Sequence, residues 1–220
     1  MAKNRATEIL RILKDSFSLP QWAHSTKDPF QTLVITVISQ NTNDRNTARA
    51  FEKLSRRFSI TPDNLAEASV REIEDAIRVA GLYRNKSKVI RELSRVILEE
   101  FNGSLDFIYS MPLEEARKTL LRIPGVGSKT ADVVLLFCAE KPTVPVDTHV
   151  NRVSKRLGLA PPNANYEGVR RALQALFPSE EYFPVHILLI LLGRKYCKAR
   201  KTLCKPCPVN LLCPSKHLED

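Results

Sequence analysis

The residues best suited to chemistry lie in one stretch of the sequence, residues 121–132, which reads LRIPGVGSKTAD. Pro124 cannot continue the helical pattern before it, while Gly125 and Gly127 permit backbone conformations and close approaches that a Cβ would forbid. Ser128 has the side chain of a helix N-cap. The stretch therefore predicts a helix, a glycine hairpin and a second helix, whose first N–H groups suit a phosphate.

Lys129 falls in the first turn of the second predicted helix, where the helix dipole disfavours a cation. A lysine in that position is a candidate for a lowered pKa, and hence for a nucleophilic amine. Taken alone, a short glycine pattern followed by lysine is common, and an αα-turn with a solvated lysine explains it better. The chemistry of Lys129 therefore depends on the wider sequence.

Four cysteines stand close together near the end of the sequence with the spacing C-x6-C-x2-C-x5-C, at Cys197, Cys204, Cys207 and Cys213. They indicate a metal site, because disulfides are unexpected in an intracellular chain. Zinc is the generic alternative, although structural zinc sites usually show two tight cysteine pairs and this spacing has one. The fifth cysteine, Cys138, lies in an apolar stretch and is predicted to be a buried, inert thiol.

The composition narrows the classes of protein that the sequence can form. The 220 residues carry a net charge of +10, which suits a polyanionic partner such as nucleic acid. We find no secretory signal and no apolar run of membrane-spanning length, and so expect an intracellular protein, in the cytoplasm or at the nucleoid, with no membrane partner. We also expect a monomer. Few glycines and pervasive helical periodicity predict an all-α fold.

Caps and breaks predict where the helices that carry these residues begin and end. Asp28, followed by proline, opens an apolar helix that ends at the polar loop 39–44, where Asp44 caps the next helix. Ser69 and Glu72 have the spacing of a capping box. Beyond the break at Gly81, apolar periodicity predicts a long helix from residue 89 to an end at residues 102–103.

Two sequence blocks, PGVGSKTA at 124–131 and VDTH at 146–149, resemble the helix-hairpin-helix DNA glycosylases of the endonuclease III family, which carry an iron–sulfur cluster. Their order and spacing are more specific than either block alone, and the resemblance covers nearly the whole chain. It implies an all-α fold with two helical lobes. Residues 23–141 would form a six-helix lobe that contains the hairpin. Residues 1–22 and 142–220 would form a terminal lobe with a [4Fe–4S] loop at 197–213.

The resemblance also implies roles for individual residues. Lys129 matches the lysine that attacks C1′ of the sugar and forms a Schiff base, and Asp147 matches the carboxylate that assists this attack and stabilises the oxocarbenium-like sugar. The cysteines at 197, 204, 207 and 213 match the ligands of the [4Fe–4S] cluster. The residues expected to bind double-stranded DNA are Gln40, Asn41, Leu82, Gly125, Val126, Gly127, Ser128 and Arg200.

Simpler explanations exist for three of these residues. Asp147 has the position of an ordinary helix N-cap, Gln40 that of a polar loop residue, and Leu82 that of a core leucine. For His149 a structural role is favoured, and His186 is left unassigned.

The implied function is base excision repair by a bifunctional enzyme. It would remove oxidised pyrimidines such as thymine glycol as a DNA glycosylase, and cleave abasic sites by β-elimination as a lyase. Two alternatives stay open: a uracil or thymine mismatch glycosylase, and a non-catalytic helix-hairpin-helix DNA-binding protein with a zinc site. The loop at 40–44 departs from the bacterial enzyme around Asn41 and Asn43, so the preferred lesion is not fixed.

Overall fold

A computed structural model describes residues 2–20 and 27–216, and in this part of the chain the fold is all-α, as predicted. Short 3₁₀ helices lie at Arg78–Ala80, Ser179–Glu181 and Asn210–Leu212. The α-helices in chain order are α1 (Ala2–Ser16), α2 (Pro29–Ser39), α3 (Asp44–Arg57), α4 (Pro62–Glu67), α5 (Val70–Ile77), α6 (Tyr83–Phe101), α7 (Phe107–Ser110), α8 (Leu113–Leu120), α9 (Ser128–Ala139), α10 (Thr148–Arg156), α11 (Tyr166–Leu176) and α12 (Tyr182–Lys195).

The chain divides into two compact units, one of them Thr26–Ala139 and the other Met1–Ser25 together with Glu140–Asp220. The boundary expected between residues 22 and 23 lies outside the described residues, and the one expected after residue 141 is found after Ala139. No single described helix has the length and apolar character to cross a membrane; only the bent pair Tyr166–Leu176 and Ser179–Lys195 reaches both criteria jointly.

The unit Thr26–Ala139 contains α2 to α9 within its described residues 27–139. The helices α4 and α7 are short, and the other six have eight residues or more. Its core includes the apolar faces of α6 and α9, which both pack against α2. The fully buried residues that they contribute include Leu33, Val34, Val37, Ile38, Ile90, Leu93, Ile97, Ala131, Val134 and Leu135.

The second unit packs α1 against α11 and α12, and α10 against α11 and α12. Gly193 on α12 permits a close approach of α10, because a Cβ there would lie 3.0 Å from the Cβ and Nδ1 of His149. On α1, the Arg5 guanidinium donates to the carbonyls of Leu157 and Gly158 beyond α10, and to that of Leu212 in the cysteine-rich tail. A single side chain therefore ties three segments together.

Local side chains explain most of the helix ends. Asp28 accepts the N–H of Gln31 at 2.7 Å, and Ser69 with Glu72 forms both halves of a capping box, as predicted. The cap of α3 is Asn43 and not Asp44, which instead begins the helix where its charge suits the dipole.

The start of α6 also differs from the prediction. The helix begins at Tyr83 and not at Val89, because the polar residues between them have no apolar period but are compatible with a helix.

Candidate functional site

The predicted hairpin joins α8 to α9 and begins with a left-handed glycine. Gly125 has φ +78°, and a Cβ there would collide with Cγ1 of Val89 on α6. Gly127 has no atom within 4 Å of the corresponding Cβ position, so it faces open space. The Gly127 carbonyl accepts the N–H of Ala131 at 2.9 Å, which makes Gly127 the N-cap of α9. The prediction that Ser128 is the cap was therefore wrong by one residue.

Val126, between the two glycines, is a core residue of the hairpin. Its side chain is buried in the hydrophobic cluster, and its N–H donates to the carbonyl of Ile123 at 3.1 Å. Val126 anchors the turn that presents Gly125, Gly127 and Ser128, and its assignment as a DNA-binding residue stays a prediction.

The different surroundings of the two glycines predict opposite results for the same substitution. Gly125→Ala should destabilise the fold by about 3 kcal/mol, because it combines a left-handed alanine with a collision against Val89. Gly127→Ala should cost less than about 1 kcal/mol, the loss at an N-cap. Thermal unfolding of the two variants beside the wild type measures both, and equal shifts of the unfolding midpoint would contradict this account of the hairpin.

Lys129 is the second residue of α9 and is half-buried. One turn further along α9, Asp132 is fully buried and accepts the Nε–H of Arg117 on α8 at 3.0 Å. A buried ion pair of this kind is strongly destabilising to break, because a single partner leaves an uncompensated charge. It therefore holds the two helices of the hairpin in register directly beside Lys129.

Two exposed segments of the same unit carry three more of the residues predicted to contact DNA. In the Gln40 loop (residues 40–43), Gln40 and Asn41 are exposed, and Asn41 has φ +53°. In the Leu82 turn (residues 81–82), Leu82 is 57% exposed with φ +48°. The explanation of Leu82 as a core leucine is thus wrong. A leucine in a left-handed conformation costs roughly 1–3 kcal/mol and is typical of functional sites.

Asp147 belongs to the other unit, where it is the N-cap of α10 and accepts the N–H of Val150 at 2.7 Å. The segment before it is held at two points. The Val146 N–H donates to the hydroxyl of Tyr166 at 3.3 Å, and the Pro145 carbonyl accepts from Nδ1 of the buried His186 at 2.8 Å. This assigns His186, whose role the sequence left open, to the support of the segment leading to Asp147.

His149 lies between α10 and α12, close to two arginines. Burial lowers its pKa, and Arg152 and Arg194 lower that pKa further against the opposing effect of Asp147. Its Nδ1 accepts from the Arg152 guanidinium at 3.0 Å, which requires the neutral form of the ring. These contacts fit the structural role favoured for His149.

The four cysteines of the tail line one cavity, together with Arg156, Leu192, Tyr196 and several residues of the tail itself. All four are free thiols. Within residues 2–20 and 27–216, no three His, Cys, Asp or Glu side chains converge tightly enough to hold a single metal ion. Burial raises the pKa of the Cys207 thiol to about 11, and a coordinated metal would favour its thiolate form.

Two arginines of α10 bind the start of this tail, and no sequence pattern marks them as functional. Arg152 donates to the Cys197 carbonyl at 2.9 Å and to the Gly193 carbonyl at 3.1 Å. Arg156 donates to the Lys198 carbonyl at 2.6 Å and approaches Sγ of Cys197 at 3.6 Å. The helix α10, which Asp147 caps, therefore also binds the cysteine-bearing loop. Arg200, further along that loop, is exposed.

Cys138 lies apart from the other cysteines, buried in the core of the first unit. Its Sγ contacts Oγ1 of Thr32 at 3.2 Å, which joins α9 to α2. Burial raises its pKa to about 11. The prediction of a buried, inert thiol agrees with these surroundings.

Comparison with known proteins gives the family. Residues 34–179 match the family described as "HhH-GPD superfamily base excision DNA repair protein". The chain is 39% identical to Endonuclease III of Sulfolobus acidocaldarius over 86% of this chain and 82% of that protein. It is 34% identical to Endonuclease III of Escherichia coli over the full length of both.

Solved structures agree with the sequence comparison. A trapped Endonuclease III–DNA covalent intermediate superposes with a TM-score of 0.84 at 32% identity, covering 97% of this chain and 96% of the other. A thermostable thymine-DNA glycosylase, at 23% identity and a TM-score of 0.78, shares the fold. The chain therefore belongs to the HhH-GPD superfamily of base excision DNA repair proteins and, within it, to the endonuclease III family of DNA glycosylases.

Proposed function

We propose that this DNA glycosylase is bifunctional, removing oxidised pyrimidines from double-stranded DNA and cleaving the resulting abasic site as a lyase. The observation that carries the proposal is Lys129, placed in the first turn of α9 next to an anchored glycine hairpin. A related Endonuclease III has been trapped as a covalent intermediate with DNA, and a covalent intermediate is what an attacking lysine forms.

The hairpin has the geometry of a phosphate site. The open space at Gly127 lets a DNA backbone approach the first N–H groups of α9, which point out of the helix at its positive end. Exposed Gln40, Asn41 and Leu82 would enter the duplex and replace the contacts of the nucleotide that leaves the stack. Arg200 on the basic loop would contact a phosphate.

The chemical steps follow from a primary amine near C1′. The lone pair of Lys129 Nζ forms a bond to C1′ as the glycosidic bond breaks, and the base leaves with the bonding electrons and is protonated. Loss of a proton from nitrogen and opening of the sugar ring give an imine. Removal of a C2′ proton then expels the 3′ phosphate oxygen, which is β-elimination. The carboxylate of Asp147 would stabilise positive charge on the sugar.

The residues of the tail fit a [4Fe–4S] cluster. Four thiols around one cavity are the ligand set of such a cluster, and two arginines fix the backbone from which the first ligand comes. When bound, the cluster would cross-link the tail, and with four protein ligands it leaves no open iron position for substrate. We assign Cys197, Cys204, Cys207 and Cys213 as its ligands.

Borohydride trapping tests the function directly, because it reduces an imine to a stable amine. The protein is mixed with duplexes that carry thymine glycol, uracil opposite guanine, or an abasic site. We expect covalent adducts on the thymine glycol and abasic duplexes. Base release from the uracil duplex alone, without an adduct, would replace the proposal with a mismatch glycosylase. Binding without release or adduct on any duplex would replace it with the non-catalytic alternative.

The two roles of Asp147 can be separated by paired substitutions. Asp147→Asn keeps a good N-cap for α10, so the free energy of unfolding should change by less than about 0.5 kcal/mol, while base excision should fall about 100-fold with the charge. Asp147→Ala should lose the same activity and a further ~1 kcal/mol of stability. Single-turnover rates and thermal unfolding measure the two effects. Full activity in the asparagine variant would leave Asp147 as a helix cap only.

The cytoplasmic or nucleoid location and the monomeric state stay predictions. Sedimentation of the free protein and of its DNA complex would measure the second of them.

A further inference from the structure

A buried lysine of α6 makes contacts that the proposed mechanism does not use. Lys86 is 3% exposed, and its Nζ donates to the carbonyl of Ile38 at 2.8 Å and to that of Ala80 at 2.9 Å. Burial lowers its pKa. Taking an ammonium out of water is unfavourable unless its donors are satisfied, so these two hydrogen bonds stabilise the buried position.

The two acceptors stand at equivalent places before the two exposed segments. Ile38 is next to last in α2, two residues before Gln40, and Ala80 ends a 3₁₀ helix, two residues before Leu82. Carbonyls at helix ends have no intrahelical partner and favour a cation. The Lys86 ammonium therefore caps two helices at once. One is α2, which precedes the Gln40 loop, and the other is the 3₁₀ helix that precedes the Leu82 turn.

Lys86 also holds the Leu82 turn from its other side. Its backbone N–H donates to the Leu82 carbonyl at 3.1 Å, while its side chain binds the Ala80 carbonyl. Gly81 and Leu82, both with positive φ, are thus enclosed between two contacts of one residue. This explains how an exposed leucine keeps a left-handed conformation that an unsupported turn would relax.

We propose that Lys86 is a positioning residue that fixes the Gln40 loop and the Leu82 turn relative to each other, so that the two exposed side chains enter the damaged duplex as one unit. This inference rests on the proposed function, because the entry of Gln40 and Leu82 into DNA is part of that function. It adds a third participant, which touches neither DNA nor substrate and acts through two backbone carbonyls.

Hydrogen exchange of the free protein provides a test that needs no catalysis. Lys86→Met removes both side-chain donors, and amides of residues 39–43 and 81–83 should then exchange at least about tenfold faster together, the factor that matches loss of one hydrogen bond. Lys88→Met, which removes the same charge from the exposed face of α6, should leave both segments unchanged. Unchanged exchange, or faster exchange in only one segment, would overturn the proposal.

DNA measurements then separate positioning from general loss of structure. Extrusion of a paired base depends on the inserted side chains, while an abasic site has no base to extrude. Lys86→Met should therefore slow excision of thymine glycol by about tenfold, and lower borohydride trapping at an abasic site by less than about threefold. Equal losses on both duplexes would show a structural defect instead.

A triple variant tests whether Lys86 acts through the two segments. In a protein that already carries Gln40→Ala and Leu82→Ala, Lys86→Met should have little further effect on excision, because residues that act as a unit are not additive. A full additional loss would overturn the proposal. If Lys86→Met does not fold, Lys86→Arg, which keeps N–H donors, takes its place. It should then preserve slow exchange in both segments, and fast exchange in either would count against the proposal.

The two levels of failure are distinguishable. A wild-type protein that forms no adduct and releases no base removes the proposed function, whatever the exchange data show. A wild-type protein that forms the adduct, with a Lys86→Met variant whose two segments keep wild-type exchange, removes only the role of Lys86.

Discussion

Lys129→Gln should abolish the borohydride adduct on an abasic duplex and lower the lyase rate by at least about 10⁴-fold, because an amide nitrogen cannot form the imine. The substitution lies in the first turn of α9 and leaves the anchors of the hairpin unchanged, namely the Gly125 turn and the Arg117–Asp132 ion pair. Affinity for the abasic duplex should therefore stay within about threefold of the wild type at the same salt concentration.

The matched control is Lys118→Gln, which removes the same charge from an exposed position on α8. It should form the adduct at the wild-type rate. Retention of lyase activity in Lys129→Gln would mean that another amine attacks C1′. Loss of DNA binding together with the adduct would instead mean that Lys129 is a phosphate contact, and both results would remove our assignment of the nucleophile.

Most of the helices could be predicted from the sequence, because the signals that define them are local, whereas the division into two lobes came from the family resemblance. The cap at Asp28 and the capping box at Ser69 and Glu72 each satisfy N–H groups of their own helix, so neither depends on the tertiary structure. The errors at Asn43 and Gly127 come from neighbouring residues that are both acceptable caps. Only the tertiary packing decides which of the two the helix uses.

The hairpin glycines mark the limit of sequence reasoning about the site. The sequence predicts that both positions exclude a side chain. At Gly125 the reason is Val89 on a different helix, which a Cβ would meet, whereas Gly127 faces open space. Neither fact is encoded within the hairpin itself. The burial of Val126 in the core is likewise a property of the packed unit.

The residues that the sequence missed are long cations used for packing. Lys86, Arg152 and Arg156 occupy helix positions where lysine and arginine normally face water, so no pattern marks them. Each instead donates to a backbone carbonyl more than 40 residues away in the sequence. Lys86 binds the carbonyl of residue 38, Arg152 that of residue 197 and Arg156 that of residue 199. The error at Leu82 is the opposite one. The simpler prediction for this apolar side chain was a core position, but the residue has a left-handed conformation and is exposed.

These cations show how each unit supports its candidate functional residues. In the unit Thr26–Ala139, α6 carries Lys86 to the two exposed segments and Val89 to the hairpin glycine. In the other unit, α10 has Asp147 at its N-terminus, while its residues Arg152 and Arg156 bind the cysteine-bearing loop. Each unit thus uses one helix to connect a candidate functional residue with its support.

Cys207→Ser should remove most of the iron, bleach the broad visible absorption expected of a brown iron–sulfur protein, and lower the unfolding midpoint by roughly 10 °C or more. The reason is that the tail, as far as residue 216, has little regular structure beyond the 3₁₀ helix at Asn210–Leu212, and its four thiols line a single cavity. Without the cross-links that a cluster supplies, the tail would be held by hydrogen bonds such as those from Arg152 and Arg156 and by the burial of Val209. Iron analysis, absorption spectra and thermal unfolding measure the three effects.

The fifth cysteine supplies the matched control for this variant. Cys138→Ala removes a buried thiol from the core of the other unit and should cost about 1 kcal/mol, while about four iron atoms per chain and the full colour are retained. A colourless wild-type protein that contains one zinc ion would contradict the cluster and favour the zinc alternative. Equal loss of iron from both variants would show that unfolding, and not a missing ligand, releases the metal. Retention of iron in Cys207→Ser alone would remove Cys207 from the ligand set.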